Sequence, residues 1–348
     1  MLIKLMLGVL EFKRKDFKGL QNLFEQLSNG QHPETLFITC ADSRVDPLLI
    51  THSLPGQLFV TRNIGNIVPP FPSSSSESAA IEYALSTFNI KDIIICGHSQ
   101  CGAMNGLLTP DIEKQLPTVA SWLSHSQPVL KKMNELHLDE ANGWASKLTC
   151  ATQLNIVQQV QHLKTYPVIV SKLAKNEVSI HGWLYEFETG KITVYDQQKD
   201  KFVPLEDALT VALNTRKNKI VSQIAMDYLN GLGRPRTAAE CQQFMQLLAN
   251  MKDNIQPIWE KIKELSRQKL WAELGGLYEK ETDEDFITLL NSGSETQLPD
   301  LSPFQKNISE SKGYRKYCSR LIHQSLFFKP NMTTQPLPHP EPVFVARV

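Results

Sequence analysis

Thr35-Leu36-Phe37-Ile38-Thr39-Cys40-Ala41-Asp42-Ser43-Arg44 is the stretch on which the fold turns. Leu36, Phe37 and Ile38 are continuous rather than alternating, which is the pattern of a strand buried on both faces, and such strands belong to parallel sheets covered by helices. Polar residues follow at once, so the strand ends in a loop carrying Cys40, Asp42 and Arg44. Downstream, residues 58–61 predict a second strand running into Arg62-Asn63-Ile64-Gly65-Asn66. Residues 78–88 read as a helix, 92–96 as a third strand, and Gly97-His98-Ser99-Gln100-Cys101-Gly102 as the loop leaving it. Strand, helix and strand in this order predict an α/β fold with a mostly parallel central sheet flanked by helices.

Upstream, Ile3, Leu7, Leu10, Phe17, Leu20, Leu23, Phe24 and Leu27 recur at helical spacing, interrupted by the charged residues 13–16, and Gly30 stops the pattern. Past the third strand, Val157, Val160 and Leu163 mark one face of a helix. Residues 178–185 alternate as a strand near a sheet edge, with 191–195 and 202–204 as a hairpin and closing extension. Composition shifts near Glu206. From there the spacing is helical, with a stripe of Ile255, Ile258, Trp259, Ile262 and Leu265, until a proline-rich end. The predicted division is an α/β domain over 1–206, a helical C-terminal domain over 207–329, and a tail over 330–348.

The 348 residues carry 36 Lys plus Arg against 36 Asp plus Glu, a formal net charge of zero. No global field gathers nucleic acid or an anionic surface, so the expected partner is a small molecule, with no nucleic acid and no membrane. Residues 1–10 are apolar but include Lys4 and run into Glu11, Lys13 and Arg14 without a small-residue cleavage pattern, which argues against a signal peptide. No segment reaches the roughly 20 uncharged apolar residues of a membrane span. Six Cys in a chain this long fit metal ligands or inert buried thiols better than a disulfide frame, and the expected location is cytoplasmic.

Cys40, His98 and Cys101 fall where parallel strands end, the place where open sheets present loops to ligands. Thiolate sulfur and imidazole nitrogen suit zinc, and three protein ligands leave a fourth tetrahedral position open. A Cys at a strand end is by itself just as compatible with core packing. Cys241, Cys318 and His323, scattered among helical patterns, are expected to be structural.

Cys40-Ala41-Asp42-Ser43-Arg44 and His98-Ser99-Gln100-Cys101-Gly102 resemble the two metal-binding signatures of the beta class of carbonic anhydrases in order and separation. Residues 55–66, Ala80-Ile81-Glu82-Tyr83-Ala84, Ile94-Ile95-Cys96-Gly97 and His181-Gly182-Trp183-Leu184-Tyr185 resemble that family's connecting blocks. The resemblance spans roughly residues 2–205. It implies zinc (Zn2+) on Cys40, His98 and Cys101 and the reversible hydration of carbon dioxide to bicarbonate and a proton. It implies that Asp42, paired with Arg44, either accepts a hydrogen bond from zinc-bound water or swings onto the metal. A largely apolar pocket of Gln31, Phe59, Ile64, Tyr83 and Gly102 is implied beside the metal, as is a homodimer or higher homo-oligomer whose subunits share pocket residues. Phe37 and Thr39 stand where some members have the Trp and Gly of an inhibitory bicarbonate site, so the open form is expected. Ser73-Ser74-Ser75-Ser76-Glu77 stands where related enzymes often have glycines. His52 and His32 are the candidate proton shuttles. The competing readings are a catalytically silent zinc scaffold and a hydrolase of carbonyl sulfide or carbon disulfide.

Overall fold

The computed structural model describes residues 1–136 and 143–216. The chain divides between Ala208 and Leu209 into two units, and the first contains helices α1 (Leu2–Arg14) and α2 (Asp16–Leu27), strand β1 (Thr35–Cys40), the one-turn helix α3 (Pro47–Ile50), β2 (Leu58–Asn63), α4 (Ser76–Thr87) and β3 (Asp92–His98). There follow α5 (Gly102–Leu108), α6 (Ile112–Gln115), α7 (Pro117–Leu123), α8 (Gln127–Glu135), the long α9 (Gly143–Leu163) and α10 (Pro167–Ala174). Strands β4 (Ser179–Tyr185), β5 (Ile192–Asp196) and β6 (Lys201–Pro204) complete it. Residues 205–216 are helical; the rest of the predicted C-terminal domain and the tail lie outside the described residues.

The six strands form one sheet in the order β2-β1-β3-β4-β5-β6. The first four run parallel, and β5 and β6 return antiparallel. The continuous apolar run of β1 follows from this order, because a parallel strand with a neighbour on each side is covered on both faces. Leu36, Phe37 and Ile38 are fully buried, each worth roughly 1.5–3 kcal/mol relative to exposure. On one face Leu36, Ile38, Ile93 and Ile95 pack against Ile81 of α4, Ile156 and Val160 of α9, and Ile169 of α10. On the other, Phe37, Ile94 and Cys96 meet Val60, Trp183 and Tyr185.

Two differences from the sequence reading have physical causes. Strand β3 continues through Gly97 and His98, residues that read as a loop. Glycine is required there because a Cβ on Gly97 would lie 2.8 Å from Ile156, and one on Gly182 of the neighbouring strand 2.7 Å from the same side chain. Ile156 thus seats α9 directly on the backbone of β3 and β4. Second, β4 is not near an edge: it lies between β3 and β5, and the edges are β2 and β6. Its alternation reflects one covered face and one half-covered face, not an outer position.

The N-terminal pattern becomes two helices that part at Lys15. Neither buries a residue, and Leu2, Ile3, Leu7 and Leu10 are all more than half exposed. Among the described residues no helix is long and apolar enough to cross a membrane.

Candidate metal centre

Parallel pairing brings Cys40 level with Asn63, and β3 carries His98 out at the same end of the sheet. Cys101 follows at the start of α5. The Sγ atoms of Cys40 and Cys101 and a ring nitrogen of His98 all lie within 4.8 Å of one another, and all three residues are buried. Of the described residues, this is the one cluster able to hold a metal ion.

Its chemistry fits a thiophilic cation. His98 donates from Nδ1 to the Ser99 carbonyl at 2.8 Å, which leaves Nε2 with its lone pair. That atom is buried and has no hydrogen-bond partner, a costly state unless something else takes the lone pair. The two thiols tell the same story. The neighbouring Cys101 thiol, together with His98 and the Gly65 amide, pulls the Cys40 thiol far below its ordinary range against the opposing effect of burial. The same contact, burial and the Cys40 charge push Cys101 far up. Two thiolates this close cannot both ionise in a buried site without a cation. Three such ligands on one zinc would stand about 3.5–3.8 Å apart, and none of the separations here exceeds 4.8 Å.

Asp42 stands beside the cluster, with Oδ2 3.9 Å from His98 Nε2. Arg44 grips it in a fork, Nε to Oδ1 at 2.9 Å and Nη2 to Oδ2 at 2.8 Å, and its backbone N–H reaches Oδ1 at 3.0 Å. The Arg44 guanidinium holds the Asp42 carboxyl well below the usual carboxylate range. Asp42 is therefore held as the carboxylate and turned toward the fork. Arg62, whose sequence neighbourhood suggests no role of its own, donates to the carbonyls of Cys40 (3.1 Å) and Asp42 (2.6 Å) and fixes the strand-to-loop turn between them.

Gly65 sits at φ +79°, where a Cβ would lie 2.9 Å from that of Ala103, and its N–H points at Cys40 Sγ, 3.4 Å away. Its carbonyl is held by Asn155 of α9 at 2.9 Å. Asn155 also accepts from Ser126 and Gln159; Gln159 accepts from the Val68 amide, and His162 bonds the Val68 carbonyl at 2.7 Å. Thus α9 has two buried stripes, an apolar one on the sheet and a polar one that pins the 65–68 loop over the metal residues. The apolar stripe alone was legible in the sequence.

Burial lowers the His162 pKa from its ordinary value, only partly offset by the bond to the Val68 carbonyl. With the folded value below the unfolded one, the unfolded chain takes up the proton first as pH falls. Stability should be flat above about pH 6.5 and decline below it until the folded value is reached. Urea unfolding from pH 8 to pH 5 checks this: His162→Gln should lessen the decline, and an unchanged slope in that variant would remove His162 as its source.

The remaining expected pocket residues divide into two groups. Ile64 and Gly102 lie at the cluster, one directly after β2 with its carbonyl held by Trp122 Nε1 (2.8 Å), the other next to Cys101. Phe59 and Tyr83 lie elsewhere: they contact each other and Phe88, and Phe59 precedes Asn63 by four strand residues, about 13 Å at the usual rise. Tyr83 is 54% exposed, and Gln31 is exposed between α2 and β1. Phe59 and Tyr83 are thus set back along the sheet from the cluster of their own chain. His32 is likewise exposed, and His52 sits at a left-handed turn after α3. Thr39 is buried with its hydroxyl donating to the Cys96 carbonyl at 2.8 Å, and Phe37 packs edge-on against Trp183, so both positions are filled by packing. The serine run starts α4: Ser75 caps it by accepting from the Ser78 amide, and Ser78 pairs with the Tyr166 hydroxyl.

Comparison with known proteins places this geometry in a context. The family profile described as "Carbonic anhydrase" matches residues 35–192. A carbonic anhydrase of Synechocystis sp. is 45% identical over 204 residues, 58% of this chain and 73% of that protein. One from Pseudomonas aeruginosa is 39% identical, again over 58% of this chain and 90% of its own length. Among solved structures, the beta-carbonic anhydrase CcaA superposes with a TM-score of 0.56 at 44% identity, covering 58% of this chain and 98% of that one. The Coccomyxa beta-carbonic anhydrase in complex with acetazolamide has a TM-score of 0.51 at 29% identity, covering 60% of this chain and 90% of that one. A tetrameric beta-carbonic anhydrase of Sordaria macrospora has a TM-score of 0.50 at 28% identity, covering 56% and 95%.

Proposed function

This chain belongs to the beta class of carbonic anhydrases and hydrates carbon dioxide, and from that premise we propose that Cys40, His98 and Cys101 hold a zinc ion, with Asp42 and Arg44 as the catalytic pair beside it. The observation that carries the assignment is the buried, unpartnered His98 Nε2 within reach of two thiols that cannot ionise together without a cation. Zinc bound there is a Lewis acid that acidifies water, so a nucleophile for carbon dioxide is available near neutral pH.

The protein residues do the rest. Asp42, kept anionic by Arg44, presents an acceptor on the open side of the cluster and orients a hydroxyl group there so that a lone pair, not a proton, faces the carbon. Because Arg44 occupies both carboxylate oxygens, the carboxylate is restrained from reaching the metal position, which favours the open form. Ile64 lines the apolar side, and Gly102 offers backbone N–H without a side chain in the way. Carbon dioxide has no net charge or dipole and needs little more than a dry space with weak donors.

A second copy of the chain supplies Gln31, Phe59 and Tyr83 to that space. Support comes from the distance of Phe59 and Tyr83 from their own cluster, from the exposed apolar face of α1, and from the oligomeric state of the Sordaria relative. The free thiols Cys40, Cys96, Cys101 and Cys150 support a reducing, cytoplasmic location. Residues 1–206 act as the catalytic domain, since none of the three ligands lies beyond residue 101; the expected division at 207–329 and 330–348 falls almost wholly outside the described residues. Zinc per chain, stopped-flow carbon dioxide hydration and sedimentation test the reading together. Expected are one zinc per chain, fast hydration and a dimer or larger; a zinc-free active protein or a fully active monomer contradicts it.

A further inference from the structure

The turn of the β4–β5 hairpin bonds both residues between the two ligands His98 and Cys101. The Ser99 amide donates to the Tyr185 carbonyl at 2.8 Å, and the Phe187 amide donates to Ser99 Oγ at 3.0 Å. Ser99 Oγ donates in turn to Glu188 Oε2 at 3.0 Å, and Gln100 Nε2 donates to Glu188 Oε1. The Phe187 ring stacks near His98, 5.0 Å between centroids, and lies 4.3 Å below the Arg44 guanidinium.

The middle of that short loop is conformationally awkward. Gln100 has φ +50°, the left-handed region that side chains other than glycine enter at a cost. The turn allows His98, at the end of a strand, and Cys101, at the start of a helix, to face one centre. It also points the Gln100 carbonyl at Arg44 Nη2, 3.3 Å away. Glu188 holds the same residue from its side chain.

We propose that Glu188 is a positioning residue for the metal centre: by gripping Gln100 and Ser99 it keeps the left-handed turn that aims Cys101 at the site and the Gln100 carbonyl at Arg44. This rests on the zinc reading above. Glu188 bonds Ser99 and Gln100, not the three ligands, from a strand turn 88 residues from Gln100 in sequence, and its charge also faces Arg44.

Three variants test it, with zinc release into a chromophoric chelator as the main readout and kcat as the second. Glu188→Ala should release zinc roughly tenfold faster than the parent and lose kcat by a similar factor, the range of partners that orient metal ligands indirectly. Glu188→Gln keeps an acceptor for Gln100 and a group for the Ser99 hydroxyl, so it should recover most of both. In a Gln100→Gly background the backbone enters the left-handed region freely, and Glu188→Ala should then have no further effect on zinc release. Unchanged release in Glu188→Ala would overturn the proposal, as would Glu188→Gln behaving like Glu188→Ala, or an undiminished Glu188→Ala effect in the Gln100→Gly background. A parent enzyme without zinc would instead defeat the metal assignment itself.

Discussion

Asp42→Asn leaves zinc in place and lowers carbon dioxide hydration by roughly 100-fold, the upper range for groups that orient a metal site from beside it. The carboxylate is not one of the three clustered ligands, and the amide has nearly the same volume, so zinc per chain should stay at the parent value. What changes is the direction of hydrogen bonding. Arg44 presents two donors, at 2.9 and 2.8 Å, to the two carboxylate oxygens, and an amide can accept only one of them. Its NH2 group must either oppose the guanidinium or turn toward the open side of the cluster, where it donates instead of accepting. In the first case the fork that holds the group in place is broken; in the second the orienting acceptor itself is lost. Stopped-flow hydration with a parallel metal count checks both halves, and turnover close to the parent enzyme with full zinc would refute the role of Asp42.

Cys101→Ser removes the metal. A serine hydroxyl does not ionise at neutral pH, so the cluster loses one of its two potential thiolates, and the remaining Cys40 and His98 bind a divalent cation too weakly to survive dialysis. Hydration activity should fall to the uncatalysed rate. Stability follows by linkage, because a ligand that binds only the folded state adds about 4 kcal/mol at a thousandfold excess over its Kd. A chelator should therefore lower the melting temperature of the parent protein and leave the variant's unmoved. A Cys101→Ser protein that retains stoichiometric zinc after dialysis would show that the ligand set is different.

Both predictions concern residues whose chemistry can be read from their type and their place after a strand. The polar stripe of α9 is a different case. Asn155, Gln159 and His162 recur at helical spacing, yet polar residues at that spacing ordinarily mark a solvated face. Here they are buried because the 65–68 loop, about 90 residues away in sequence, brings its backbone N–H and C=O groups to them. Glu188 is similar: an acid in a hairpin turn has no local signal, and its role exists only because β4 lies beside β3.

The sequence by itself determined the strand cores, the helices between them, the parallel character of the sheet and the residues able to bind metal. These follow from local periodicity and side-chain chemistry, which a short stretch carries on its own. Tertiary structure alone decided the rest: that β3 runs on through His98 because β4 pairs with it there, Gly97 opposite Leu184 and His98 opposite Tyr185, that β4 is interior, and that Phe59 and Tyr83 lie far from their own chain's cluster. Each of these depends on which backbone stands next to which. Periodicity reports the face a residue shows but not the neighbour that meets it, and pairing partners are selected only when the sheet assembles.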